Sequence, residues 1–225
     1  MAKTESEICP AFDPFWLYHI LFDHYGPSGW WPGDSPLEVA IGAVLTQNTA
    51  WSNVEKAIAN LKTAAMIDVR RLSTMHEKRL AKLIRPAGYY NIKARRLKNF
   101  VDMVVDSFSG DLSALFRLDK DELRSVLLEV NGIGMETADS ICCYAAGQLV
   151  FVVDAYTKRI LLRHGIIEGN TSYDEIRAFF ETGLPQELSV YKDLHAHIVF
   201  IGKDYCRPRN PRCDACPLKS FFKGD

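Results

Sequence analysis

Three segments, Ser35-Pro36-Leu37-Glu38, Ser52-Asn53-Val54-Glu55 and Thr74-Met75-His76-Glu77, repeat one local arrangement. In each, a hydroxyl that can cap a helix is followed three residues later by a glutamate that can return the bond. Each is followed by apolar residues at three- and four-residue spacing, the period of one helix face. Pro36 also suits the first turn of the helix that follows, over residues 39–45. Asn91 opens a long predicted helix that reaches Phe108 and stops before Gly110, and Asp119-Lys120-Asp121-Glu122 caps another ending near Val130. The same periodicity predicts helices over residues 135–146, 155–163, 173–181 and 188–202. The only strand-like run, residues 149–153, is too isolated to build a sheet. The spacing therefore predicts an all-α protein.

The 225 residues are 48% apolar and 24% charged, enough to give one large domain or two small ones a core and enough to exclude disorder. The longest nearly uncharged apolar stretch, residues 141–153, lies between Asp139 and Asp154 and is too short for a bilayer core of roughly 30 Å. The N-terminal residues lack the apolar centre of a secretory signal, so a cytoplasmic location is expected and the cysteines read as reduced thiols or metal ligands. The charges balance at 27 basic against 28 acidic, yet eight basic and no acidic residues lie from Lys78 to Lys98, and the sign reverses from Val101 to Asp139. Such a stretch is either a phosphate-tracking edge or a solvated helix face.

Gly132-Ile133-Gly134 joins two predicted helices. Two glycines let the backbone turn tightly and approach another chain, Ile133 anchors the turn in the core, and the amides that follow open a helix N-terminus suited to a phosphate. A plain αα-hairpin has the same pattern. Eighteen residues after Glu136, the apolar pair Val152-Val153 leads into Asp154 at the start of a helix, where an aspartate is in the simplest reading an N-cap.

Gly132, Gly134 and Asp154 together resemble the signature of the helix-hairpin-helix DNA glycosylases of the endonuclease III superfamily. The resemblance extends to Val44-Leu45-Thr46-Gln47-Asn48-Thr49 and to Gly88-Tyr89-Tyr90-Asn91, giving four ordered matches over about 110 residues. It implies a two-lobed all-α fold, with a six-helix lobe over residues 28–148 ending in the hairpin and a second lobe built from residues 1–27 and 149–225. DNA is expected across the mouth between the lobes. It also implies that Gln47 fills the hole left by an extruded nucleotide and that Tyr89 wedges into the opposite strand, where the family more often has an aliphatic residue. Asp154 would stabilise positive charge on the sugar or activate water. Bifunctional members attack the sugar with a lysine at the position of Glu136. A carboxylate cannot form a Schiff base, so a monofunctional enzyme is expected.

Gly29-Trp30-Trp31-Pro32 and Gln47-Asn48-Thr49-Ala50-Trp51 are similar to the segments that sandwich an alkylated base in the endonuclease III-like 3-methyladenine DNA glycosylases. By that likeness Trp30, Pro32 and Trp51 form the base pocket. The implied function is excision of alkylated purines from double-stranded DNA in base-excision repair by a monomeric enzyme. An enzyme for oxidised pyrimidines or mismatched bases, and a non-catalytic DNA-binding iron–sulfur protein, remain alternatives.

Cys206-x6-Cys213-x2-Cys216 resembles the loop in which four cysteines of the family hold a [4Fe–4S] cluster. The fourth position is Phe222. A distant residue such as Cys9 could complete a cluster, the cluster could be labile or lost, or the thiolates could hold zinc. The implied role is structural, presenting Arg207, Arg209, Arg212 and Lys219 to phosphates. Cys142 and Cys143 read as core residues, and His195 and His197 do not share a helix face and so do not read as a metal pair.

Overall fold

The structure, a computed structural model, describes residues 8–219. Among the described residues there are twelve α-helices and no strand, and no helix is long and apolar enough to cross a membrane. The chain divides into two compact units, one drawn from Met1–Trp30 and Leu149–Asp225, the other spanning Trp31–Gln148.

The Trp31–Gln148 unit is organised around α2 (Pro36–Thr46), whose residues from Leu37 to Leu45 are all buried. A helix apolar all round must be enclosed. It packs against α3 (Trp51–Thr63), α6 (Tyr90–Phe108), α9 (Met135–Ser140) and the π-helical turn Ile141–Ala145 that follows α9. The short helices α4 (Val69–Thr74), α5 (Glu77–Leu83) and α7 (Leu112–Phe116) lie against α6, and α8 (Lys120–Glu129) leads into the hairpin. Arg124 of α8 bonds to the fully buried carboxylate of Asp139 on α9 at 2.7 Å, bracing the two hairpin helices.

The other unit packs α1 (Pro14–Tyr25), α10 (Ala155–Arg163) and α11 (Tyr173–Gly183) with α12 (Leu188–Asp204), which touches α1 and α10 directly. The apolar run at residues 149–153 is extended without a ladder. Its backbone is satisfied by side chains of α11 instead, the Phe151 amide donating to Glu181 at 3.0 Å and the Val153 amide to the Tyr173 hydroxyl at 3.3 Å. Phe151 stacks on Phe180 with ring centroids 4.2 Å apart.

Several local expectations need correction. Ser35 caps α2, but Glu38 returns its bond to the Asp34 amide rather than to Ser35. Ser52 is no cap: α3 begins one residue earlier, behind Ala50, and Glu55 accepts from the Trp51 indole at 3.0 Å. Thr74 ends α4, and α5 is capped by the imidazole of His76. The Thr74 hydroxyl instead donates back to the Arg70 and Arg71 carbonyls of its own helix, the alternative open to a hydroxyl inside a helix. The single helix expected over residues 135–146 is α9 followed by the π turn.

Candidate active site

Asp154 is the N-cap of α10, and its Oδ1 accepts from the Thr157 amide at 2.7 Å and the Thr157 hydroxyl at 2.9 Å. Oδ2 lies 3.8 Å from Nε2 of His195, a buried residue of α12. That is an ion-pair distance, too long for a hydrogen bond. Burial alone would raise the carboxyl's affinity for a proton; His195 and the two Thr157 donors outweigh it and hold Asp154 below its ordinary value of 3.8. The result is a buried, ionised carboxylate with one oxygen fixed by the cap. His195 carries no local signal of its place beside Asp154, which depends on how α12 packs against α10.

The segment before Trp30 is pinned to α12. The Ser28 amide and hydroxyl donate to Asp193 at 2.9 and 2.6 Å, and His197 Nε2 meets the Gly26 carbonyl at 2.8 Å. Trp30 lies edge-on to Phe200, with the Lys203 ammonium 5.7 Å from its ring centre. The unit boundary thus falls after Trp30 rather than at residue 28.

In the other unit, Trp51 opens α3 and meets Trp31, not Trp30, at 5.1 Å between ring centroids and nearly perpendicular. Tyr144, set by the π turn, lies 5.2 Å from the same Trp31 ring. Gly42 on α2 makes the room: a Cβ there would come within 3.0 Å of the Trp31 indole nitrogen and 3.5 Å of the Trp51 ring. Pro32 is exposed beside them. The adjacent tryptophans carry no pattern saying which one meets Trp51, and Tyr144 reaches Trp31 only through the π turn, so neither contact is legible locally.

Gln47, the C-cap of α2, donates from Nε2 to the Thr137 hydroxyl at 2.9 Å and to the Gly132 carbonyl at 3.3 Å, and its Oε1 accepts from Arg96. Gly132 turns with φ of 97°, and a Cβ there would lie 2.3 Å from the Arg96 side chain. Gly134 is different: its φ is −96° and nothing lies near an added Cβ. Only Gly132 is demanded by the turn; Gly134 leaves the outer face of the hairpin open. Ile133 is buried as the anchor. Gly132→Ala is expected to cost on the order of 1–3 kcal/mol through strain and displacement of Arg96, read as a lowered melting temperature. Tyr89 stands 71% exposed at the N-cap of α6 with φ 44° and ψ 31°. Glu136 lies exposed on the first turn of α9.

In the cysteine loop, Cys206 is buried, Cys216 half-buried and Cys213 exposed. Burial, with the Cys206 and Cys213 sulfurs close by, pushes the Cys216 thiol up. Arg163 of α10 donates to the Cys206 sulfur at 3.2 Å and to the Arg207 and Pro208 carbonyls at 2.6 and 2.9 Å, while Arg159 donates to the Cys206 and Gly202 carbonyls. Two guanidiniums therefore hold the loop. Among the described residues no group of three or more His, Cys, Asp or Glu side chains is disposed to hold a metal ion, and Phe222 lies outside the described residues. A [4Fe–4S] cluster takes four thiolates. Cys206, Cys213 and Cys216 would supply three of them.

Residues 41–186 match the HhH-GPD superfamily of base excision DNA repair proteins, and residues 206–221 match the iron–sulfur binding domain of endonuclease III. The chain belongs to the HhH-GPD superfamily. It is 48% identical over 207 residues to a Methanocaldococcus jannaschii protein provisionally named a DNA repair glycosylase, covering 91% of this chain and 93% of that one. Helicobacter pylori 3-methyladenine DNA glycosylase, solved with 1,N6-ethenoadenine, superposes with a TM-score of 0.75 at 31% identity over 85% of this chain and 98% of the other. An endonuclease III trapped covalently on DNA shares the fold, with a TM-score of 0.78 at 21% identity and 93% of each chain covered.

Proposed function

We propose that the protein is a monofunctional DNA glycosylase that extrudes alkylated purines, 3-methyladenine foremost, from duplex DNA and leaves an abasic site. The observation that carries this reading is the buried, ionised Asp154, fixed by its cap and facing His195. Cleaving an N-glycosidic bond develops positive charge on the sugar, and a desolvated carboxylate stabilises that charge and orients the attacking water. Gln47 and Tyr89 take the place of the extruded nucleotide and offset the few kcal/mol of unstacking. The amides after Gly134, at the open face of the hairpin, and the basic residues of the cysteine loop bind backbone phosphates.

Substrate choice is assigned to the aromatic cluster. A methylated purine is cationic, and the faces of Trp51 and Trp31, with Pro32 next to Trp31 in the chain, attract a desolvated cation. The positive charge also makes the base a good leaving group, so no general acid is needed. The likeness to the Helicobacter pylori enzyme, named for 3-methyladenine, points the same way.

With Glu136 where a Schiff-base lysine would stand, the product strand should stay intact until alkali is added, and borohydride should trap no enzyme–DNA adduct. End-labelled duplexes on denaturing gels test this. Breakage before alkali, with a trapped adduct, would assign a nucleophile elsewhere and overturn the monofunctional reading.

A further inference from the structure

Lys93, on the first turn of α6, is 1% exposed, and its chain makes it one of the largest fully buried side chains in the protein. Its ammonium donates to the Leu45 carbonyl at 2.8 Å and to the Ala87 carbonyl at 2.7 Å. Leu45 lies in the last turn of α2, two residues before Gln47, and Ala87 closes a 3-10 turn two residues before Tyr89. Both carbonyls belong to helix ends, where the backbone lacks an intrahelical partner.

We infer that Lys93 is a positioning residue that ties the two DNA-probing segments to one point, so that Gln47 and Tyr89 enter the duplex as a unit. The inference rests on the reading of those two residues as probes. Its physical basis is the state of the Tyr89 turn. Gly88 has φ of 66°, and Tyr89, a bulky residue with no side-chain cap bond, is held left-handed at 44°. A left-handed aromatic residue persists only where its surroundings fix it. Besides the turn's own backbone bonds, from the Ala87 amide to Ile84 and the Gly88 amide to Arg85, Lys93 holds it twice: its amide donates to the Tyr89 carbonyl at 3.0 Å while its ammonium holds Ala87. Tyr89 can therefore stand out into solvent without the turn relaxing. Burial, with Arg96 adding to it, pushes the Lys93 ammonium down to about 8, which leaves it charged and able to hold both carbonyls at neutral pH.

The test uses the full chain and a duplex with a tetrahydrofuran abasic analogue facing 2-aminopurine, whose fluorescence rises when it is unstacked. Wild type should raise the signal on binding. Lys93→Met should cut that rise by about threefold or more while binding to undamaged duplex changes by less than about threefold, because two charge-assisted bonds to the probe segments are lost but the phosphate contacts are not. Should Lys93→Met fail to fold, Gly88→Ala strains the same turn from outside the core, since its added methyl meets nothing within 4 Å, and it should show the same split. In a Tyr89→Ala background either change should have little further effect on the fluorescence, as expected of residues acting through one element. A variant that loses affinity for undamaged duplex and fluorescence in equal measure, or neither, would overturn the staple while leaving the probes intact. A wild type that binds the duplex without raising the signal would overturn the reading of Gln47 and Tyr89 as probes, and the staple with it.

Discussion

Asp154→Asn is expected to lower base release by roughly 10³-fold, the scale set by losing a group that stabilises or activates in the transition state, with affinity for duplex DNA little changed. The substitution is chosen because it separates two roles that Asp154 holds at once. As the N-cap of α10 the side chain accepts from Thr157, and asparagine caps helices as well as aspartate does, through an oxygen of the same reach. The fold should therefore survive. What disappears is the negative charge. Single-turnover release measured beside a gel-shift titration gives both quantities, and an Asp154→Asn protein that released base at the wild-type rate would show that Asp154 is not the catalytic carboxylate. The pH dependence follows the same geometry. Because Asp154 is held below its ordinary value of 3.8 in the folded state, its contribution to stability is complete above that value and is lost only as the pH falls through the lower, folded one. Stability measured by urea unfolding at pH 5 and at pH 7 should show no loss attributable to this group.

Trp51→Ala should lower kcat/KM for a cationic alkylated base by about 30-fold, the equivalent of the roughly 2 kcal/mol that a desolvated cation gains from an indole face. Trp51 projects from the first turn of α3 with its nitrogen tied to Glu55, perpendicular to Trp31 and above the space left by Gly42. Alanine removes the face without disturbing the cap, since α3 has no side-chain cap to lose. The effect should be selective. A neutral damaged base, if it is cleaved at all, gains little from an aromatic quadrupole, so its rate should fall by less. Comparing released bases from methylated DNA and from a duplex with an oxidised pyrimidine reads that difference, and equal losses on both would mean that Trp51 supports the fold of the pocket and does not choose the base.

The elements around these residues differ in how far their sequence announces them. α10 runs over Ala155–Arg163 as its period and the aspartate before it indicate, because cap, first turn and apolar face all lie within ten neighbouring residues. α8 is legible for the same reason, whereas α6 begins at Tyr90 behind Tyr89, which gives no side-chain cap bond, and not at Asn91. α1 is not: Phe15, Trp16, Tyr18 and Phe22 distribute aromatic rings around it, so no polar face marks the helix. α4 and α7 are too short for a period to emerge. Within the candidate site, the positions of Asp154, Gln47 and Gly132 on their elements could be read from local pattern, but their partners could not. His195 reaches Asp154 from 41 residues away, Arg96 reaches Gln47 from 49, and Lys93 reaches Leu45 from 48. Each of these contacts is created by helix packing. The π turn that aims Tyr144 at Trp31 is also a product of packing, since residues 141–145 read locally as ordinary helix.

The account is tested most directly by identifying the base that the purified protein releases. Methylated duplex DNA, incubated with the wild-type chain and with Asp154→Asn, is filtered and the free bases are separated by chromatography. The account predicts that 3-methyladenine appears with the wild type, that the strand breaks only after alkali, and that Asp154→Asn releases almost none. Release of an oxidised pyrimidine or a mismatched base from matched duplexes, with 3-methyladenine left in the DNA, would contradict it.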